Sequence, residues 1–414
     1  MRAASPAFRF TAEPLGDAFD LLAAYRTGGV FFERGGRGVA GSLGVPSMTT
    51  GPPEQFGIVE TLRGFATRHH DVAPVAMGAI AFEQGGGHHS HQIVIARRTV
   101  RRTDRGRTWR LDADEPGHEA DDPQPFQPVA GAAPHEPFTE LQLTPVPTPE
   151  VYRAAVAEAV ERIGRAELRK VVLARTIEVD AGRPLDPKTL VHRLRAVDPA
   201  AYVFAAPTDD GVIVGASPEL LVSRRGREVR SNPLAGSAPR SGDPEEDRAS
   251  ADALAASTKD QEEHVIVVEA VAEILAPFCE ELTWDPEPVL RETPNVWHLS
   301  TSFQGILRDP APTAVDLVAA LHPTPAIAGT PTDAALAVIE ELEPFDRGRY
   351  AGPVGWVDAN GDGEWAIALR CAELRGDRAI LFAGAGIVAG SDPSLELDET
   401  ERKFRAFLDA LRWG

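Results

Sequence analysis

Two stretches of the chain place carboxylates at helical spacing. In "SLELDETERK", Glu396, Glu399 and Lys403 fall at i, i+3 and i+7, so on a helix they share one face. In "STKDQEEHVIVVEAV", Asp260 and Glu263 repeat the i, i+3 pair. Val267, Ala270 and Val271 follow Glu263 at i+4, i+7 and i+8, which puts Glu263 on the apolar stripe of its helix. A carboxylate there is costly unless it is paired or holds a cation. Oxygen ligands drawn from two such helices suit a hard divalent ion such as Mg²⁺. Spacing alone describes two separate solvated faces equally well.

Four further stretches carry chemistry. Glu219 in "GASPELLV" stands between apolar residues at a strand start; a half-buried carboxyl has a raised pKa and suits a general acid. Lys170 in "LRKVVLAR" stands at the mouth of an apolar strand, and lysines tuned to about 7–8 act as bases. "NPLAGSAPR" holds Gly236 and Ser237 in a turn whose backbone N–H groups could receive a carboxylate. Arg370 in "AIALRCAEL" alternates into a strand, and arginine grips a carboxylate with two donors. Each of these also has a routine structural reading.

Other motifs fall short. "DANGDGEWAIAL" (Asp358, Asn360, Asp362) opens like a calcium loop, but Leu369 stands where a bidentate Glu is needed, so it reads as a hairpin turn. "GAGIVAG" (Gly384, Gly386, Gly390) misses the dinucleotide spacing. His88, His89 and His91 in "GGGHHSH" lack a partnered metal motif, and His69 and His70 in "RHHD" read as a helix cap.

Elements must position these residues. Helical periodicity marks "GIVETLRGFATRHHD", "PEVYRAAVAEAVERIGRAEL", "STKDQEEHVIVVEAVAEILAPF", "TDAALAVIEEL" and "DETERKFRAFLDALRW"; "VAMGAIAFEQGG", "HQIVIARRTV", "RKVVLARTIEVD", "AAYVFAAP", "GVIVGASPELLVSRRG" and "EVRSNPLAG" read as strands. "AGPVGWVDANGDGEWAIALRCAELRGDRAILFAGAGIV" reads as a meander of three strands. Strand runs broken by separate helices argue α+β. The domain organisation reads as one unit over 1–414: an N-terminal part to about residue 100, a surface loop over 101–136, and a motif-bearing part from 149. The balance of 42 basic and 62 acidic residues gives −20, a poor match for nucleic acid or an anionic membrane. Two cysteines, no apolar leader and no spanning run indicate a cytoplasmic protein.

Taken together, "PELLV", "NPLAGSAPR", "KDQEEH", "LHPTPAIAGTP", "EELEPFDRGRYAGPVGW", "GEWAIALRCAEL" and "FAGAGIVAGSDPSLELDETERK" resemble the chorismate-binding enzymes over roughly residues 150–414. The resemblance implies one large α+β domain of two packed antiparallel sheets flanked by helices, and a monomer. It implies Mg²⁺ held by Glu263 and Glu399, with Asp260 and Glu396 beside them, partly through water. It implies a chorismate cradle at Gly236 and Ser237, a clamp on the enolpyruvyl carboxylate at Tyr350 and Arg370, further contacts at Gly384 and Lys403, and His298 near the ring carboxylate. Lys170 resembles the base of the water-adding members, isochorismate and salicylate synthases. Ala235 stands where aminodeoxychorismate synthases carry a nucleophilic lysine. Ala326 stands where salicylate synthases carry threonine. The implied activity is isochorismate synthesis, for a catechol-siderophore pathway or else for menaquinone. The family also contains salicylate synthases and the amine-adding first components of anthranilate and aminodeoxychorismate synthases, and these activities stay open behind the first.

Overall fold

The computed structural model describes residues 9–42, 48–49, 57–63, 72–82, 92–114, 137–138 and 140–412. His69, His70, His88, His89 and His91 lie outside them.

Among the described residues the strands form antiparallel sheets of twelve, nine and three strands. The twelve-stranded sheet is centred on Tyr202–Pro207, Val212–Ser217, Cys371–Arg375, Arg378–Ile387 and Lys170–Asp180. The nine-stranded sheet is centred on Leu220–Arg225, Gly363–Ile367, Pro353–Asp358 and Val75–Ala79. Leu234–Pro239, Val296–Ser300 and Val289–Glu292 make the small one. Both ends of the chain share the large sheets: Val30–Arg34 pairs with Tyr202–Pro207, and Val75–Ala79 with Pro353–Asp358.

Side-chain alternation explains the layering. In Arg378–Ile387, Ala379, Leu381 and Ala383 belong to a core shared with Leu190, Leu194, Phe404, Phe407 and Leu411 of the covering helices. Phe382, one step out of phase, joins the core shared with Val222, Trp356 and Trp365 of the nine-stranded sheet. The architecture is therefore two packed antiparallel sheets with helices outside and a third small sheet beside them.

Three sequence readings need correction. The loop read from residue 101 instead begins as a hairpin: Thr108–Asp114 is a strand paired with Arg98–Arg102 and Arg9–Leu15. Its buried residues Trp109, Leu111 and Ala113 alternate with half-exposed Arg110 and Asp112, and the many charges hide that alternation. The single strand read in "HQIVIARRTV" is two strands, Gln92–Val94 and Arg98–Arg102, in different large sheets. The three-strand meander is four strands. Pro353–Asp358 and Gly363–Ile367 lie in the nine-stranded sheet, Cys371–Arg375 and Arg378–Ile387 in the twelve-stranded one.

That last crossing positions the site. Arg370 is not within a strand; it occupies the bend between the sheets, with φ of 49°, a conformation L-residues adopt only when their surroundings impose it. Glu219 lies at a similar crossing, between Val212–Ser217 and Leu220–Arg225. A third crossing, through Pro233, joins Glu228–Asn232 to Leu234–Pro239.

Candidate active site

The three crossings border one cleft. It is lined by Val172, Glu219, the Leu234–Ser237 segment, Glu263, His298, Ala326, Tyr350, Ala351, Arg370, Gly384, Gly386, Glu399 and Lys403. Most of the residues singled out in the sequence thus line one cavity. Asp260, Glu396 and Lys170 stand just behind its wall. The enclosed space is about 60 Å³, room for a few waters.

Lys170 is the first residue of its strand and is fully buried. Its Nζ lies 3.0 Å from Glu263 Oε1, an ion pair without hydrogen-bond alignment. Glu263 is 7% exposed, on the inner face of Thr258–Leu275, as its apolar stripe requires, while Glu262 and Glu269 are exposed. Glu219 is 4% exposed. Burial pushes its carboxyl up to about 7, against the opposing influence of the Leu234 backbone N–H, Lys170, Arg370 and Lys403.

The face opened by "SLELDETERK" looks inward. On the helix Pro393–Arg412, Lys403 Nζ donates to Glu399 Oε1 at 2.6 Å and to Gly384 O at 2.8 Å. Burial acts to raise the Glu399 carboxyl, but Lys403 outweighs it and holds the group well below the usual range. Glu396, 1% exposed, accepts from Lys259 Nζ at 2.5 Å. Burial and the neighbouring Glu399 push its carboxyl up. Asp260 is bound by the hydroxyl of the helix-capping residue Ser257. Burial raises it, and Glu263 and Glu399 add to that.

His298 donates from Nδ1 to Gly236 O at 3.1 Å, leaving Nε2 to accept from Arg370 Nη2 at 3.1 Å. Burial and Arg370 push its pKa down to about 3, so the ring is neutral in this arrangement. Tyr350 stacks on Phe382 at 5.0 Å. Gly236 has φ of 69°, and a Cβ there would stand 3.0 Å from Asp260 Cβ. Ser237 turns its hydroxyl toward Glu399 without completing a well-formed hydrogen bond.

The donor chemistry fits a hard divalent cation: Asp260, Glu263, Glu396 and Glu399 offer only oxygens, and burial, with repulsion from neighbouring carboxylates added, raises the carboxyls of Asp260 and Glu396. They are not gathered round one point. Among the described residues no three His, Cys, Asp or Glu side chains are arranged to hold a metal. Lysines take that place, three of the four carboxylates having one as partner. Lys259 and Gly386 join the site without a signal of their own in the sequence. Lys259 adjoins Asp260, but its partner is 137 residues away. Gly386 is marked only by its place two residues after Gly384 in the strand.

Residues 122–412 match the chorismate binding enzyme family, and the chain belongs to it. It is 48% identical over 276 residues to isochorismate synthase DhbC of Bacillus subtilis, covering 65% of this chain and 69% of that one. It is 49% identical over 287 residues to a Mycobacterium tuberculosis protein named MenF, covering 64% and 77%. The fold superposes on the crystal structure of DhbC from Bacillus anthracis with a TM-score of 0.80 at 36% identity, covering 94% of this chain and 98% of that one. Among the described residues no helix is long and apolar enough to cross a membrane.

Proposed function

We propose that the chain is an isochorismate synthase, isomerising chorismate by adding water at C2 and expelling the C4 hydroxyl. The observation that carries this reading is a buried carboxyl poised near 7, Glu219, lining the cleft, with a fully buried lysine, Lys170, just behind the wall of the same cleft, against its lining residue Glu263. Those are the acid and base that the exchange of one hydroxyl for another requires.

Lys170, in its neutral form, takes a proton from the water that attacks C2. The ring double bonds shift. Glu219, in its acid form, gives its proton to the departing C4 oxygen, which leaves as water. Atoms balance: one water enters, one leaves, and a proton passes from Lys170 back to Glu219 to reset the pair. Arg370 and Tyr350 hold the enolpyruvyl carboxylate. Arg370 must turn from His298 to do so, and the small size of the cavity makes such side-chain exchange part of binding. Glu263 and Glu399 would hold Mg²⁺, with Asp260 and Glu396 acting behind them. When bound, the ion supplies positive charge to fix the ring carboxylate. Gly236, Ser237, His298, Gly384 and Lys403 complete the substrate cradle, and Ala326 leaves no hydroxyl to assist pyruvate elimination.

The test is incubation of purified protein with chorismate and Mg²⁺, with and without ammonia, and chromatography of the products. Isochorismate alone is the expected product. Salicylate with pyruvate, anthranilate, or unreacted chorismate would overturn the reading. For the pathway, the likeness to two proteins named DhbC supports 2,3-dihydroxybenzoate siderophore synthesis, and the MenF likeness favours menaquinone as the second reading. Induction of the transcript by iron starvation separates them. We also propose a monomer, to be checked by light scattering.

A further inference from the structure

Arg291 belongs to none of the groups above, yet it leads to the proposed acid. It lies half-buried on Val289–Glu292, the edge strand of the small sheet. Its Nη1 donates to Asn232 Oδ1 at 2.5 Å. Asn232 Nδ2 in turn donates to Ser300 Oγ at 2.8 Å and to Thr301 O at 3.1 Å. Both ends of the amide are engaged, so its orientation is fixed.

Asn232 ends its strand at the crossing into the small sheet. Pro233 follows with its φ locked, and Thr301 N donates to Pro233 O at 3.4 Å. Holding Asn232 therefore holds the direction of the next free N–H, that of Leu234. That N–H is near enough to the Glu219 carboxyl to oppose the rise that burial causes, and both residues line the cleft. Arg291 is also near enough to Glu219 for their charges to interact.

We propose that Arg291, through Asn232, is a positioning residue for the general acid: it clamps the Asn232–Leu234 corner so that the Leu234 N–H orients the Glu219 carboxyl toward the leaving hydroxyl. The proposal rests on Glu219 acting as that acid. Lys170, Arg370 and Lys403 act on Glu219 through their charges, and Arg291 interacts with both Glu219 and Asp198. Removing Arg291 takes away one positive charge and loosens one donor. Both changes favour the acid form, so the alkaline limb of kcat moves to higher pH even as the misdirected acid slows the reaction.

The experiment measures kcat and KM across pH for wild type, Arg291→Gln and Arg291→Lys, with circular dichroism on each. For Arg291→Gln the expected result is a kcat lower by about tenfold or more, because a general acid is worth about 10²–10⁴. KM should stay within about threefold, and the alkaline limb should move up by roughly half a pH unit or more. Arg291→Lys, which keeps the charge on a different head group, should return the limb most of the way while kcat stays reduced. Should the Gln variant fail to fold, the reduced kcat of Arg291→Lys at unchanged KM carries the test. An unmoved limb in a folded Gln variant, or a rise in KM with kcat intact, overturns the clamp. Wild type that makes no isochorismate overturns the functional reading instead, so the two failures are distinguishable.

Discussion

Glu263 Oε1 occupies the space beside Gly386 so closely that a Cβ on residue 386 would stand 2.0 Å from it. The same Cβ would lie 3.2 Å from Lys170 Cε. The backbone of the strand Arg378–Ile387 is thus the wall against which the Lys170–Glu263 pair is pressed. Gly386→Ala should displace that pair and lower kcat by about 10²-fold, the scale of a misplacement near 1 Å. Gly390→Ala is the control: its nearest neighbour is Lys259 Cγ at 3.7 Å, and its kinetics should match wild type. Equal rates in both variants would remove the packing argument.

Lys170→Ala and Glu219→Ala should each lower turnover by about 10²–10⁴, with the fold retained by circular dichroism. The two differ in stability. Lys170→Ala leaves Glu263 buried beside an empty position, and breaking a buried pair in this way costs about 3–5 kcal/mol. Assays therefore belong well below the lowered melting temperature. A near wild-type rate in either variant would show the acid–base assignment to be wrong.

The raised carboxyl of Glu219 has a second signature, in stability. Between pH 4.5, its ordinary value, and about 7, its value in the fold, the folded state binds more protons at this group than the unfolded state. Stability from this group therefore falls as pH rises through that window, and the whole loss is present above it. At 1.36 kcal/mol per unit, it is on the order of 3 kcal/mol. Glu219→Gln should melt higher than wild type at pH 8, and the two should converge at pH 4.5. Parallel melting curves across that range would mean the carboxyl is not perturbed.

Chelation should abolish turnover, and Mg²⁺ should restore it. Mg²⁺ should also raise the melting temperature of wild type, because a ligand that binds only the folded state stabilises it. In Glu399→Gln both responses should weaken sharply. Turnover indifferent to EDTA would exclude the cation, and a Glu399→Gln variant with an undiminished Mg²⁺ response would move the ligand role elsewhere.

The periodicity of the helices reveals which acids point inward. Glu263 can be placed because its neighbours at i+4 and i+8 are apolar, and Glu219 because apolar residues flank it. Alternation tells which face a side chain takes but not which sheet a strand joins. The crossings at Pro218–Glu219 and Ala368–Arg370 are therefore invisible to it, and Arg370 reads as a strand residue. Lys259–Glu396 and Arg291–Asn232 are hidden for a related reason: such pairs are made by packing of segments 137 and 59 residues apart, and neither local spacing nor composition encodes them.

Glu219, Leu234 and Arg370 all stand where the chain passes from one sheet to another. They are joints rather than ornaments on a rigid surface. The separation of the proposed acid, Glu219, from the proposed carboxylate grip, Arg370, is then governed by how the large sheets seat on one another. Repacking Val354, fully buried in the core on the nine-stranded sheet, would retune the chemistry without touching a reacting atom. The core of this protein is in that sense a calibration device, and its reaction rate should drift with interior substitutions too mild to change its melting temperature.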